Sequence, residues 1–145
     1  MSNREVEVSF TGGESYRIRV GGHELVVDQP ADTGGSDHGP TPVELFVASL
    51  ASCVAFYAGR FMDRHGLPRG DLGAVADFEM ADDGPARVAR VRIRLRVPAS
   101  EPVAQARREA LRAVVHHCTV HNSLLRPPEV SIDVDVAETG RGDGR

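Results

Sequence analysis

The stretch PVELFVASLASCVAFYAG, residues 42–59, carries a single charge, at Glu44. Thr41 is placed to cap a helix here. Pro42 stands at the first helical position and Glu44 at the third, which completes a capping-box pattern. Gly66-Leu67-Pro68 supplies the stop. The pattern predicts a helix from about Pro42 to about His65, roughly 36 Å long at ~1.5 Å per residue. Its first half is apolar on almost every side, through Val43, Leu45, Phe46, Val47, Leu50, Val54 and Phe56. A helix of that kind must be covered all round. Ala48, Ala51, Ala55, Ala58 and Gly59 allow close approach by its neighbours. The second half turns amphipathic at Arg60, Asp63 and Arg64. No run reaches the ~18 consecutive apolar residues of a membrane span, so this is read as the central helix of a folded domain. One sheet face does not cover such a helix alone, and a second subunit could cover the rest.

The remaining segments read mostly as strands. Glu5–Val8 and Tyr16–Val20 alternate in polarity, with Gly12-Gly13 between them, and His23–Asp28 follows Gly21-Gly22. These predict an antiparallel meander. QPADTGGSDHGPTP, residues 29–42, is a loop. Ala74–Met80 and Ala86–Val97 flank a turn at Asp82-Asp83-Gly84. The second of these strands puts Val91, Ile93, Leu95 and Val97 on one face and Arg90, Arg92, Arg94 and Arg96 on the other. Acidic cross-strand neighbours suit that row better than nucleic acid does, and the chain offers Asp77, Glu79, Asp133, Asp135, Glu5 and Glu7. A second helix is predicted over about 101–117 with Ser100 as its cap, then one or two helical turns over 118–125. Pro127-Pro128 breaks these, and 129–136 alternates as a final strand. The order predicts an α+β fold with mainly antiparallel sheets. Residues 1–138 form one domain in this reading, and 139–145 a disordered polar tail.

The 145 residues suffice for one full core without staples. With 26% charged and 41% hydrophobic residues, the chain has a globular composition. A net charge of −4 gives no reason to expect nucleic acid as a partner. The polar start MSNREVEVSF lacks the apolar core of a signal peptide, so a cytoplasmic protein with no membrane partner is expected. All 17 basic residues are Arg, which excludes a lysine Schiff base.

In a reducing compartment a structural disulfide is not expected, which draws attention to Cys53 and Cys118. Cys53 has two readings. It is a small apolar filler of a packed helix, or a nucleophile that needs a cation and an opening to solvent. Without Lys that cation must be Arg or His. Cys118 lies 65 residues further on, outside any CxxC motif. The two meet only if their segments pack side by side. One would then form a sulfenic acid and the other condense with it. His116, His117, Cys118 and His121 raise the question of a metal, but further ligands are missing. Histidines at a helix C-terminus are the plainer reading.

Two motifs carry a resemblance. GPTPVELFVASLASC (39–53) resembles the signature of the OsmC/Ohr family, the osmotically inducible and organic hydroperoxide resistance proteins: a Gly-x-x-Pro-x-Glu-Leu stretch leading into a long helix with a cysteine in its middle. CTVHNSLL (118–125) resembles the family's C-P-V-x-x-T-L-like segment after the second helix, with Thr119 in the place of Pro. The resemblance covers roughly residues 5–136. It implies an intertwined homodimer with sites at the subunit interface and no metal or bound cofactor. It implies Cys53 as the peroxidatic cysteine and Cys118 as the resolving one. An Arg and a Glu would hold the thiolate and the peroxide. Glu44 lies nine residues before Cys53, one nearer than the family's Glu, and Arg17 and Arg19 lie on roughly the matching strand. The function implied is a thiol peroxidase that reduces organic hydroperoxides and is recycled by a dithiol reductant. The rival reading is a binding protein of the same fold, holding a lipid-like or aromatic molecule with little catalysis.

Overall fold

The computed structural model describes residues 4–98 and 105–137. Ser100, Glu101–Ala104 and the tail 139–145, assigned above as a cap, a helix start and a disordered segment, lie outside the described residues. The element order is β1 (Val6–Gly12), β2 (Ser15–Val20), β3 (His23–Val27), α1 (Pro42–Arg64), β4 (Gly73–Met80), β5 (Val88–Arg96), α2 (Gln105–Val115) and α3 (Thr119–Leu125), with one turn of 3₁₀ helix at Ala31–Thr33. The fold is α+β, with two antiparallel sheets ordered β1-β2-β3 and β4-β5.

Both ends of α1 follow the local signals. The Thr41 hydroxyl accepts the Glu44 N–H at 3.1 Å, and the Glu44 carboxylate accepts the Thr41 N–H at 3.1 Å. At the other end Gly66 is left-handed, φ +64°. It donates to the Asp63 carbonyl at 3.1 Å while Leu67 donates to Met62 at 2.9 Å. Those two bonds close a Schellman motif, which favours glycine at that position.

α1 is the centre of the body, with β4, β5, α2 and α3 packed on it. Val47, Leu50, Ala58, Phe61 and Met62 supply its buried contacts. Across β4 and β5, Ala74 faces Leu95, Ala76 faces Ile93 and Phe78 faces Val91. These pairs form the half-buried face turned to the body. The arginine row lies on the other face. Arg90 meets Glu79 at 2.9 Å and Arg94 meets Asp77 at 2.7 Å, so a solvated sheet face with acidic neighbours is what the alternation produced.

By length and composition α1 could also cross a bilayer, yet only 33% of its most apolar stretch is buried within the single chain. Other apolar surface is left over as well. Val6, Val8 and Phe10 pair with Val20, Ile18 and Tyr16 across β1 and β2. That face stays open, with Val8 57% and Phe10 64% exposed. The last segment departs from expectation. Residues 127–137 form no strand, and Val130, Ile132, Val134 and Val136 are each at least 74% exposed. The alternation is there, but no strand of the described chain pairs with it. A strand needs such a partner for its backbone hydrogen bonds.

Candidate functional site

Cys53 lies in the middle of α1 and is half-buried. Cys118 is fully enclosed. It occupies the N-cap position of α3, just after α2 ends and the chain passes through His116 and His117. α3 packs on α1, and Cys53 is a close enough neighbour of Cys118 to act on its titration. Burial raises the Cys118 pKa above the ordinary thiol value, and the neighbouring Cys53 raises it further. The N–H groups of His121 and Val120 offset part of that rise. Both cysteines are reduced in the structure.

One turn along α1 from Cys53, the Tyr57 hydroxyl meets the Thr119 hydroxyl at 2.9 Å. Sequence reasoning missed this contact, because the two residues lie 62 positions apart. Its only sequence signals are that Tyr57 shares a helix face with Cys53 and that Thr119 stands in the place of Pro.

The other predicted site residues lie elsewhere within one chain. Glu44 is exposed and engaged in the capping box. Nine residues of helix put it ~13.5 Å along the axis from Cys53 and about half a turn round. Arg17 and Arg19 lie on the polar face of the meander, 3.9 and 3.8 Å from Glu24. That sheet is not among the elements packed closely on α1. Among the described residues no three His, Cys, Asp or Glu side chains converge as a metal site.

A second residue unmarked in the sequence sets where α1 begins. Asp28 is 1% exposed. Its carboxylate accepts N–H bonds from Gln29 at 2.7 Å, Ser36 at 3.3 Å and His38 at 3.1 Å. The His38 and Gln29 amides hold its pKa below the ordinary carboxylate value, against the opposing effect of burial. Asp28 also donates its own N–H to Pro40 at 3.1 Å. The loop is thereby folded back along β3 and delivers Thr41 to its capping position. The fit is tight at Gly35 and Gly39, where any Cβ would collide with the Gln29 and Val26 carbonyls.

The model of the OsmC-like protein family matches residues 34–133, a span that includes the end of the loop, α1, both cysteines and α3. The chain belongs to the OsmC family. Among solved structures, this OsmC-like chain is similar to a Psychrobacter arcticus 273-4 protein named for osmotic stress induction and a detoxification response. The TM-score is 0.74 at 22% identity, over 85% of this chain and 89% of that one. It is also similar to an OsmC-like protein of Mycoplasma pneumoniae, with TM-score 0.71 and 15% identity over 86% and 88% of the two chains. The organic hydroperoxide resistance protein OsmC of Legionella pneumophila follows, with TM-score 0.62 and 18% identity over 86% and 90%. At these identities the likeness establishes the fold. Among curated proteins, none matches the sequence.

Proposed function

We propose that this OsmC-family chain is a thiol peroxidase that reduces organic hydroperoxides, with Cys53 as nucleophile and Cys118 as resolving thiol. The observation that carries this reading is the approach of the two thiols, from elements 65 residues apart in sequence. The name of the Legionella pneumophila structural neighbour adds support for the substrate class. The Cys53 thiolate attacks the distal peroxide oxygen, the O–O bond breaks, and the leaving alkoxide takes a proton to become an alcohol. Cys53 is then a sulfenic acid. Cys118, deprotonated, attacks the Cys53 sulfur. The S–O bond breaks, water leaves with the proton, and a disulfide remains. A dithiol reductant restores both thiols by exchange. The cycle needs no metal or bound cofactor, and it suits the reducing cytoplasm.

The working unit in this proposal is a homodimer. Its support is the apolar surface that one chain leaves open on α1, on the meander and along residues 130–136. Glu44, Arg17 and Arg19 enter as residues that only a second copy could bring to Cys53. Their absence from the neighbourhood of Cys53 within one chain favours the rival reading, an OsmC-fold protein that binds a lipid-like or aromatic molecule. Turnover of cumene hydroperoxide with dithiothreitol separates the two readings. Cys53→Ser is expected to abolish it, and full activity in that variant would refute the proposal.

A further inference from the structure

A disulfide tolerates little error in placement. The Cα atoms must lie ~4.4–6.8 Å apart with their Cβ vectors facing. Here one cysteine is anchored in the long, well-capped α1. The other lies at the start of α3, a helix of seven residues without a side-chain cap. The Tyr57–Thr119 hydrogen bond joins these two elements directly beside the thiols. Tyr57 follows Cys53 by one helical turn on the same face, and Thr119 follows Cys118 by one residue.

We propose that Tyr57 is a positioning residue for the Cys53–Cys118 pair, acting through the Thr119 hydroxyl. This rests on the reading of the two cysteines as a redox pair. The phenol holds the first residue of α3, and with it the Cys118 sulfur, over the Cys53 rung of α1. Proline at position 119 would offer no hydroxyl, so the tether belongs to this chain's own sequence. A neutral hydrogen bond of this kind changes an equilibrium by about threefold to tenfold. That is the size expected for its effect on disulfide closure.

The test uses the full-length protein and its Tyr57→Phe, Thr119→Val and Thr119→Ser variants. Each is equilibrated with mixtures of reduced and oxidised glutathione. Protein dithiol plus oxidised glutathione gives protein disulfide plus two reduced glutathiones, so the midpoint reports how well the thiols are placed. Closure after one equivalent of cumene hydroperoxide is followed in parallel by acid quench, alkylation and mass. Tyr57→Phe and Thr119→Val should each weaken disulfide formation about threefold to tenfold. Both should leave the rate of Cys53 oxidation unchanged, and Thr119→Ser should restore the wild-type midpoint. The double variant should be no worse than either single one, because both remove one bond. Midpoints within twofold of wild type in both single variants would overturn the proposal, as would a Thr119→Ser variant no better than Thr119→Val. The glutathione equilibrium needs no peroxide. If cumene hydroperoxide leaves the wild-type thiols untouched, the peroxidase reading fails while the positioning role is still decided.

Discussion

Raising the pH should speed the closing of the Cys53–Cys118 disulfide well past the point where an ordinary thiol has finished ionising. In the proposed cycle Cys118 attacks as its thiolate. An ordinary thiol with pKa about 8.5 is about 3% ionised at pH 7 and about 76% at pH 9, a rise of about 25-fold that then levels off. Cys118 titrates above that value, chiefly because it is enclosed and secondarily because Cys53 faces it. Oxidation of Cys53 to a sulfenic acid leaves the burial in place. The closure rate should therefore climb by more than about 25-fold over the same interval, towards the ~100-fold limit of a thiol far below its pKa. The assay oxidises the protein with one equivalent of cumene hydroperoxide and jumps the pH. Quenched samples are then weighed for the gain of one oxygen turning into the loss of two hydrogens. A plateau reached by pH 8.5 would refute the reasoning. The raised pKa also acts on stability. The neutral thiol's contribution is complete below the unfolded value of about 8.5 and is lost as pH rises through the folded value. Thermal melts of the reduced protein should fall in alkali, and Cys118→Ala should flatten that fall.

Met62 is 1% exposed in the body, so Met62→Ala should cost about 2–5 kcal/mol. In urea, at ~1.5 kcal/mol per molar, the midpoint should move down by roughly 1–3 M; a shift under 0.3 M would be too small for a packed core position at any plausible slope. Thr41→Ala removes the hydroxyl half of the capping box and should cost about 1 kcal/mol by the same measurement. Asp28, held below the ordinary carboxylate value by loop amides, stabilises the fold above an unfolded pKa of about 3.9, and that contribution is lost as pH falls through its folded value. Asp28→Asn should lower the melting temperature at pH 7 and narrow the difference between pH 7 and pH 3; an unchanged difference would count against the loop anchor.

The parts of the fold that the sequence made legible are those fixed by local chemistry. The cap and stop of α1 are set within a few residues, and the structure matches them. The row Arg90 to Arg96 was readable because side chains alternate along a strand, and its acidic partners lay on the adjacent strand of the same hairpin. Legibility fails where the partner is distant or outside the chain. The alternation of residues 129–136 predicts a strand but names no partner, and among the described residues the segment forms no strand. The approach of Cys53 and Cys118 followed from a resemblance and not from their spacing. Asp28 passed as the end of a strand because its burial depends on a loop that returns ten residues later. Glu44 serves the fold visibly, through its capping bonds with Thr41, and within one chain those bonds are the role the structure gives it.

The most direct test of the account is a thiol count and intact mass of the reduced protein before and after one equivalent of cumene hydroperoxide. The account predicts the loss of both thiols and a Cys53–Cys118 crosslink within one chain. Cys118→Ser should lose a single thiol to oxidation and form no such crosslink. Two free thiols remaining after the peroxide would contradict the account and turn attention to ligand binding at the apolar surface around α1.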